Sequence, residues 1–320
     1  VHMPNPMKVV LYDKYGGADV LHISKMNKPV PKTNEVLVEV HASSINPIDW
    51  KIRKGMVAFA TGWRFPRLTG ADFAGIIRKT GSKVSYYKTG DEIYGMVPAA
   101  RGGACAEYVT VQNGSFFLKP FNLSFKEAAS TPLAAQTALQ ALRDKGELKK
   151  GDQVLIIGAS GGVGLFAVQI AKALGARVTG VCSTKNLEFV ESIGADFVID
   201  YTKSDPWKLT SKFDLIFDAV ASGSFWSARK MLTKQGNYVT TIPSPSNLLT
   251  EILTRVFSQK TARNLLVKTN SDDLKFIKGL YENNQLKTKI HRVFPLEKIG
   301  AAHRESETGR ACGKIVLKIR

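Results

Sequence analysis

The sequence predicts an α/β protein: a doubly wound parallel sheet flanked by mainly-β segments at the two ends of the chain. Three observations carry that reading. From residue 154 onward, short continuous apolar runs alternate with periodic segments of helix length, as buried parallel strands and their crossover helices do. A glycine-rich turn, Gly158-Ala159-Ser160-Gly161-Gly162-Val163-Gly164, joins the first of these strands to its helix. The chain up to about residue 120 reads instead as strands and turns, and residues 315–319 close it with a strand expected to return to that region.

Taken in order, residues 7–12 form a short apolar run, and residues 35–40 alternate with period two, as a half-buried strand does. The glycine pairs Gly16-Gly17 and Gly102-Gly103 mark turns. Residues 128–142, rich in Ala, Leu and Gln, read as one helix with Pro132 in its first turn. Strands are then expected at 154–157, 178–181, 197–199, 215–219 and 238–242, with helices at 163–174 and 188–193, and the alternation stops after Leu265-Leu266-Val267. At roughly 100–200 residues per domain, 320 residues suggest two domains.

Composition narrows the class. The chain is 44% hydrophobic and 22% charged, which excludes a disordered or fibrous protein. No apolar run approaches the ~18–20 residues that span a bilayer, and no N-terminal stretch has the plan of a signal peptide. Three scattered cysteines, Cys105, Cys182 and Cys312, make no disulfide framework and point to a reducing cytoplasm. The formal charge of +18 raises nucleic acid or an anionic membrane as partners.

The turn is the first candidate site. Aligned as Ala159-x-Gly161-x-x-Gly164, its first position permits a tight turn, Gly161 lets backbone approach a pyrophosphate, and Gly164 allows close helix–strand packing. Ser160, Gly162 and Val163 complete the loop at the helix N-terminus, where unpaired N–H groups favour an anion. An NAD site commonly has an acid at the end of the next strand to hold the ribose 2′-hydroxyl. This chain has Cys182-Ser183-Thr184-Lys185-Asn186 there. The hydroxyls of Ser183 and Thr184 and the ammonium of Lys185 suit a 2′-phosphate, and Tyr201 could contact the same group, so NADPH is the expected cofactor.

The run Gly90-Asp91-Glu92-Ile93-Tyr94-Gly95, the segment 103–108, the alanine-rich 131–142, the glycine turn, Ser192-Ile193-Gly194-Ala195-Asp196 and terminal Gly313-Lys314-Ile315-Val316-Leu317 together resemble the medium-chain dehydrogenase/reductase superfamily. Asn46-Pro47-Ile48-Asp49-Trp50-Lys51 is similar to its quinone oxidoreductases, including chloroplast-envelope homologues and plant enone reductases. The resemblance implies a Rossmann domain, residues 125–269, inserted in a GroES-like mainly-β catalytic domain, residues 1–124 and 270–320, with the nicotinamide in the cleft between them. It also implies cofactor contacts near Thr137 and Lys314, although a surface lysine is an equal reading of Lys314, and commonly a homodimer. Zinc relatives carry cysteine where Asn46 stands and His-Glu where Ala71-Asp72 stands, so no metal is expected.

Without a Lewis acid, a simple alcohol is a poor substrate. A quinone or conjugated enone is an easier hydride acceptor, because its charge moves to an oxygen that needs only hydrogen-bond donors and a proton. The expected activity is therefore that of an NADPH-dependent quinone oxidoreductase. Asn46 and Lys51 are the catalytic candidates: the amide could hold the acceptor oxygen or brace the turn before Pro47, and the lysine could donate the proton or pair with Asp49. Trp50, Trp63, Phe65 and Tyr94 could line a pocket for a flat ring, or form core. Thr241 and Ile242, after the fifth strand, could offer backbone to the nicotinamide; Asp218 ends the fourth strand as a ligand contact or a turn residue. A 2-alkenal or enoyl-thioester C=C reductase is the alternative enzyme. A non-catalytic membrane-surface or RNA-binding protein is the alternative of another class. Leu248, Leu249, Ile252, Leu253, Val256 and Phe257 recur at helical spacing beside Arg255, Lys260 and Arg263, which suits a lipid surface, a lid or a dimer interface. Lysine and arginine are spread along the chain from Lys8 to Arg320 rather than clustered, and no nucleic-acid motif appears, so no specific nucleic-acid partner is expected.

Overall fold

A computed structural model describes residues 5–241 and 244–320. The chain forms two compact units. One comprises the residues up to Leu133 together with Thr269–Glu282 and Thr288–Arg320; the other comprises Ala134–Lys268 and Asn283–Lys287.

The first unit is mainly β. Strands β1 (Pro6–Tyr12), β2 (His22–Asn27) and β4 (Arg67–Leu68) make a small sheet in the order β2-β1-β4. Strands β3 (Glu35–Ile45), β5 (Asp72–Thr80), β6 (Glu92–Met96), β7 (Tyr108–Gln112) and β8 (Phe116–Leu118) belong to a second sheet. The period-two pattern of residues 35–40 becomes β3, with Val36, Val38 and Val40 fully buried against Phe73, Ile77, Ile93 and Phe116.

The second unit contains six parallel strands in the order β11-β10-β9-β12-β13-β14. They are β9 (Gln153–Ile157), β10 (Arg177–Cys182), β11 (Phe197–Asp200), β12 (Phe213–Asp218), β13 (Leu232–Thr240) and β14 (Thr261–Asn264). The order reverses beside β9, which creates the switch point where such sheets bind ligands at their carboxyl edge. Strand β14 escapes the sequence pattern because an edge strand need not be apolar on both faces, and Thr-Ala-Arg-Asn is not. The chain then returns to the first unit. Strand β15 (Ile290–Pro295) pairs in parallel with β16 (Lys314–Lys318), and β16 pairs antiparallel with β3, as the terminal apolar run suggested.

The segment 128–142 differs from expectation. It is not one helix but a short helix Phe125–Ala129, a break, the helix Pro132–Leu139, and a wider turn over Gln140–Lys145. Proline cannot donate to the preceding turn and disfavours helical backbone at Thr131, so it opens a second helix rather than sitting inside the first.

Candidate functional site

In the second unit, the glycine turn sits between β9 and the helix Gly164–Ala173. The residue that turns the chain is Gly158, with φ of 79°, rather than Ala159, which is buried and donates its N–H to Val181 O at 2.9 Å. A Cβ on Gly164 would lie 1.9 Å from Gly158 O, so helix and strand pack only because that side chain is absent. A Cβ on Gly161 would meet nothing nearer than Gly158 O at 3.4 Å. That bare backbone at the start of a helix has the form a pyrophosphate would need, and the residues fit a dinucleotide.

The adjacent loop is tied to this turn. Asn186 donates from Nδ2 to Ser160 Oγ at 3.0 Å and to Ser183 Oγ at 3.4 Å. Lys185 and Thr184 are exposed, and Tyr201 is exposed beyond the end of β11. The loop also holds an acid that its own sequence lacks. Register places Asp200 of β11 beside Cys182 of β10, and its carboxylate accepts the Thr184 hydroxyl at 2.5 Å. Sequence reading misses Asp200 because only strand pairing brings it to that loop, as it misses the bracing role of Asn186. Thr137 lies buried in the helix Pro132–Leu139 and Thr241 is half-buried after β13, while Ile242 lies outside the described residues. Asp218 is a turn residue: it accepts N–H bonds from Ser222 and Gly223 and the hydroxyl of Tyr238.

In the first unit, Asn46 ends β3 and precedes the helix Pro47–Arg53. It caps that helix together with Asp49, and its side chain is also held from two sides. The Oδ1 accepts from Lys314 Nζ at 2.5 Å, and Nδ2 donates to Asp72 Oδ2 at 2.9 Å. Opposite charges on the two sides fix which way the amide faces. Asp72 also accepts from Ser44 Oγ at 2.6 Å and from the Leu133 N–H at 2.8 Å. Lys314 is therefore not a surface lysine: it is 3% exposed and lies 3.9 Å from Asp72. Burial lowers its pKa, against the opposing pull of Asp72 and Asp49. Asp49 faces inward too, accepting the Asn46 N–H at 2.7 Å, so it does not pair with Lys51. Burial pushes Asp49 up to about 7. Lys51 is half-buried over the Trp50 ring, at 5.6 Å from its centroid, and desolvation lowers its pKa.

The aromatic candidates separate. Trp50 is half-buried and bonds Ser306 Oγ through its indole N–H at 3.2 Å; Trp63 is exposed; Phe65 packs edge-on against Tyr12 and Tyr15. Tyr94 is not a pocket wall. It is fully buried among Ala42, Ala74, Ala128 and Val316, and its hydroxyl donates to Leu274 O at 2.5 Å, because its strand lies inside the sheet. The thiol of Cys105 is buried and held protonated by desolvation.

Two family models match this chain. Residues 32–121 match the alcohol dehydrogenase GroES-like domain, and residues 193–317 match a model described as zinc-binding dehydrogenase. The chain is 36% identical over 323 residues to the spinach chloroplastic quinone-oxidoreductase homolog, covering 98% of each protein. The chain belongs to the quinone oxidoreductase family of the medium-chain dehydrogenase/reductases. This family match extends to an Arabidopsis thaliana NADPH-dependent alkenal/one oxidoreductase, 35% identical over 98% of this chain and 80% of that protein. The quinone oxidoreductase of Coxiella burnetii shares the fold with a TM-score of 0.90 at 32% identity, over 99% of this chain and 100% of that one. Its members' two parts are both present here, a GroES-like domain and a Rossmann sheet.

The zinc named by one model does not fit these residues. Asn46 is neutral with its amide engaged on both sides, Asp72 already accepts three hydrogen bonds, and a lysine ammonium stands beside them. Among the described residues no three His, Cys, Asp or Glu side chains gather to hold a metal, and no helix is long and apolar enough to cross a membrane.

Proposed function

We propose that the protein is an NADPH-dependent reductase that delivers hydride to a quinone or conjugated enone without a metal. The turn after β9 carries this reading: open backbone over Gly161 suits a pyrophosphate, and exposed Lys185 and Tyr201 rim the neighbouring strand end where a 2′-phosphate would lie. Support for the acceptor comes from the relatives, one named for quinones and one for alkenals and enones with NADPH. When bound, NADPH supplies a hydride from its nicotinamide. Lys51 is the proton donor in this reading, since it is half-buried, has no carboxylate partner among the described residues, and is more acidic than an ordinary lysine. The amide of Asn46, locked by Lys314 and Asp72, offers its second N–H to the acceptor oxygen. Thr137, Ser160, Gly162, Val163, Ser183 and Thr241 complete the cofactor side, and Trp50 and Trp63 the ring side.

The test is NADPH oxidation against a panel of quinones, 2-alkenals and enoyl thioesters, with NADH as control. Activity on enoyl thioesters or alkenals with none on quinones would replace this reading by the C=C reductase one. Lys51→Met is expected to lower kcat at least tenfold on enones, which need a placed proton, and less on quinones. Full activity on both acceptors rules out Lys51 as the donor.

The helix Pro245–Phe257 bears on assembly. Leu249, Ile252, Val256 and Phe257 stand 57–82% exposed along it, next to edge strand β14. We assign this face to a second copy of the chain, so sedimentation should give a dimer at micromolar concentration. A monomer that sediments with anionic vesicles would assign the face to lipid.

A further inference from the structure

We propose that Asp200 is a specificity-determining residue that keeps the ribose end of the cofactor site open to NADH as well as NADPH. This rests on the NADPH reading above and concerns the same loop. The acid that would accept a ribose hydroxyl is absent from residues 182–186, but β11 supplies one from the next strand. Both oxygens of Asp200 are occupied. Oδ2 accepts the Thr184 hydroxyl at 2.5 Å; Oδ1 accepts the Thr202 hydroxyl at 2.6 Å and the Thr202 N–H at 2.9 Å. The Thr184 and Thr202 hydrogen bonds hold the carboxyl below the usual carboxylate range, so it is ionised and the two hydroxyls must donate.

The consequence falls on Thr184. Its only hydroxyl proton is committed to Asp200, and Thr202 Oγ1, 3.0 Å away, commits its own proton to the same carboxylate, so toward a ligand the Thr184 oxygen can only accept. A phosphate oxygen meets an acceptor there, backed by a carboxylate, and is repelled. A ribose 2′-hydroxyl is a donor and can give its proton to the same oxygen. Lys185 pulls the other way, and Lys203, 4.0 Å from Asp200, offsets part of the carboxylate charge. The loop thus carries one group that favours the phosphate and one that tempers it.

Asp200→Asn keeps the shape of the turn. The Asn oxygen still accepts from the Thr202 N–H, while its amide donates to Thr184 and frees that hydroxyl proton for a phosphate. KM values for NADPH and NADH are measured with one quinone acceptor for the wild type, Asp200→Asn, Thr184→Val and Lys185→Ala. KM does not depend on the fraction of enzyme that is folded, so a partly unfolded variant still reports. For Asp200→Asn, KM for NADPH is expected to fall about two- to fivefold, the range of an exposed charge interaction, with KM for NADH unchanged or higher. Thr184→Val is expected to raise KM for NADH more than for NADPH. An Asp200→Asn enzyme whose KM ratio is unchanged, because both values move together or neither moves, overturns the proposal. Lys185→Ala tests the underlying reading separately: equal loss for both cofactors removes the phosphate assignment, while the Asp200 ratio still decides the inference.

Discussion

The seven-residue helix Pro47–Arg53 has a charge cluster at each end, one around buried Asp49, Asp72 and Lys314 and one around buried Arg53 and His303, and the two are out of balance in opposite senses. At its N-terminal end, two carboxylates, Asp49 and Asp72, share one ammonium, Lys314. At its C-terminal end, Arg53, Lys54 and His303 surround one carboxylate, Glu307. Arg53 is fully buried; it pairs with Glu307, donates to Gly16 O at 3.2 Å, and donates to His303 Nδ1 at 3.2 Å. Burial resists net charge in either place. The surplus carboxyl, Asp49, rises to about 7, and the surplus base, His303, falls to about 3. One atom in each surplus group, Asp49 Oδ1 and His303 Nε2, lacks a hydrogen-bond partner among the described residues. In each cluster the surplus charge is reduced at the group that burial leaves without a counter-charge. The helix between them presents Trp50 and Lys51, so both clusters hold the candidate proton donor in place.

The largest effect expected is at Lys314. Lys314→Met leaves Asp72 buried without a counter-charge, and removing one partner of a buried pair costs about 3–5 kcal/mol. Urea unfolding should show that loss, and adding Asp72→Asn should recover much of it. Failure of the double variant to recover would mean that Lys314 acts by packing, and the charge comparison would break.

The next effects are pH slopes, each at most about 1.4 kcal/mol per pH unit. The folded pKa of Asp49 lies above its unfolded value, so its contribution is full below about 4 and is lost as pH rises through about 7. The folded pKa of His303 lies below its unfolded value, so stability falls as pH drops from about 6.5 toward about 3. Between about 4 and 6.5 these slopes oppose. Asp49→Asn should therefore unmask a loss of melting temperature on acidification in that window. His303→Asn should unmask the reverse, a loss as pH rises. Two variants with the same slope would show that the clusters are not opposites.

The smallest effect expected is at exposed Lys185. Lys185→Ala should raise KM for NADPH a few-fold, as an exposed charge pair allows, and leave KM for NADH nearly unchanged. Set beside Lys314→Met, it contrasts a lysine buried in the fold with one proposed to select a ligand.

Much of the fold was legible because its signals are local. The glycine turn, the buried runs of β9 and β10 and the alternation of β3 each lie within a dozen residues. Strand β14 was not legible, since an edge strand carries a weak pattern, nor was the break at Thr131, where a proline that opens a helix looks much like one inside its first turn. Among the candidate site residues, Lys185 and Gly161 can be proposed from spacing alone. Tyr94 was misplaced because an aromatic in a strand looks the same in a core and in a pocket wall. Lys314 was left between surface and site because its partner, Asn46, is 268 residues away.

That separation marks the boundary between the two kinds of information. Periodicity, glycine spacing and residue type act over one or two turns of chain, and they were enough for the parallel sheet and for the glycine turn that opens its first helix. Protonation and orientation depend on the charges within a few ångströms, whatever their place in the chain. Pairing β16 with β3 buries Lys314 against Asn46 and Asp72, and pairing β11 with β10 brings Asp200 to Thr184. Whether Asp49 keeps its proton, which way the Asn46 amide faces and what Thr184 can offer a ribose are consequences of those strand pairings, because electrostatic energy depends on distance in space rather than along the sequence.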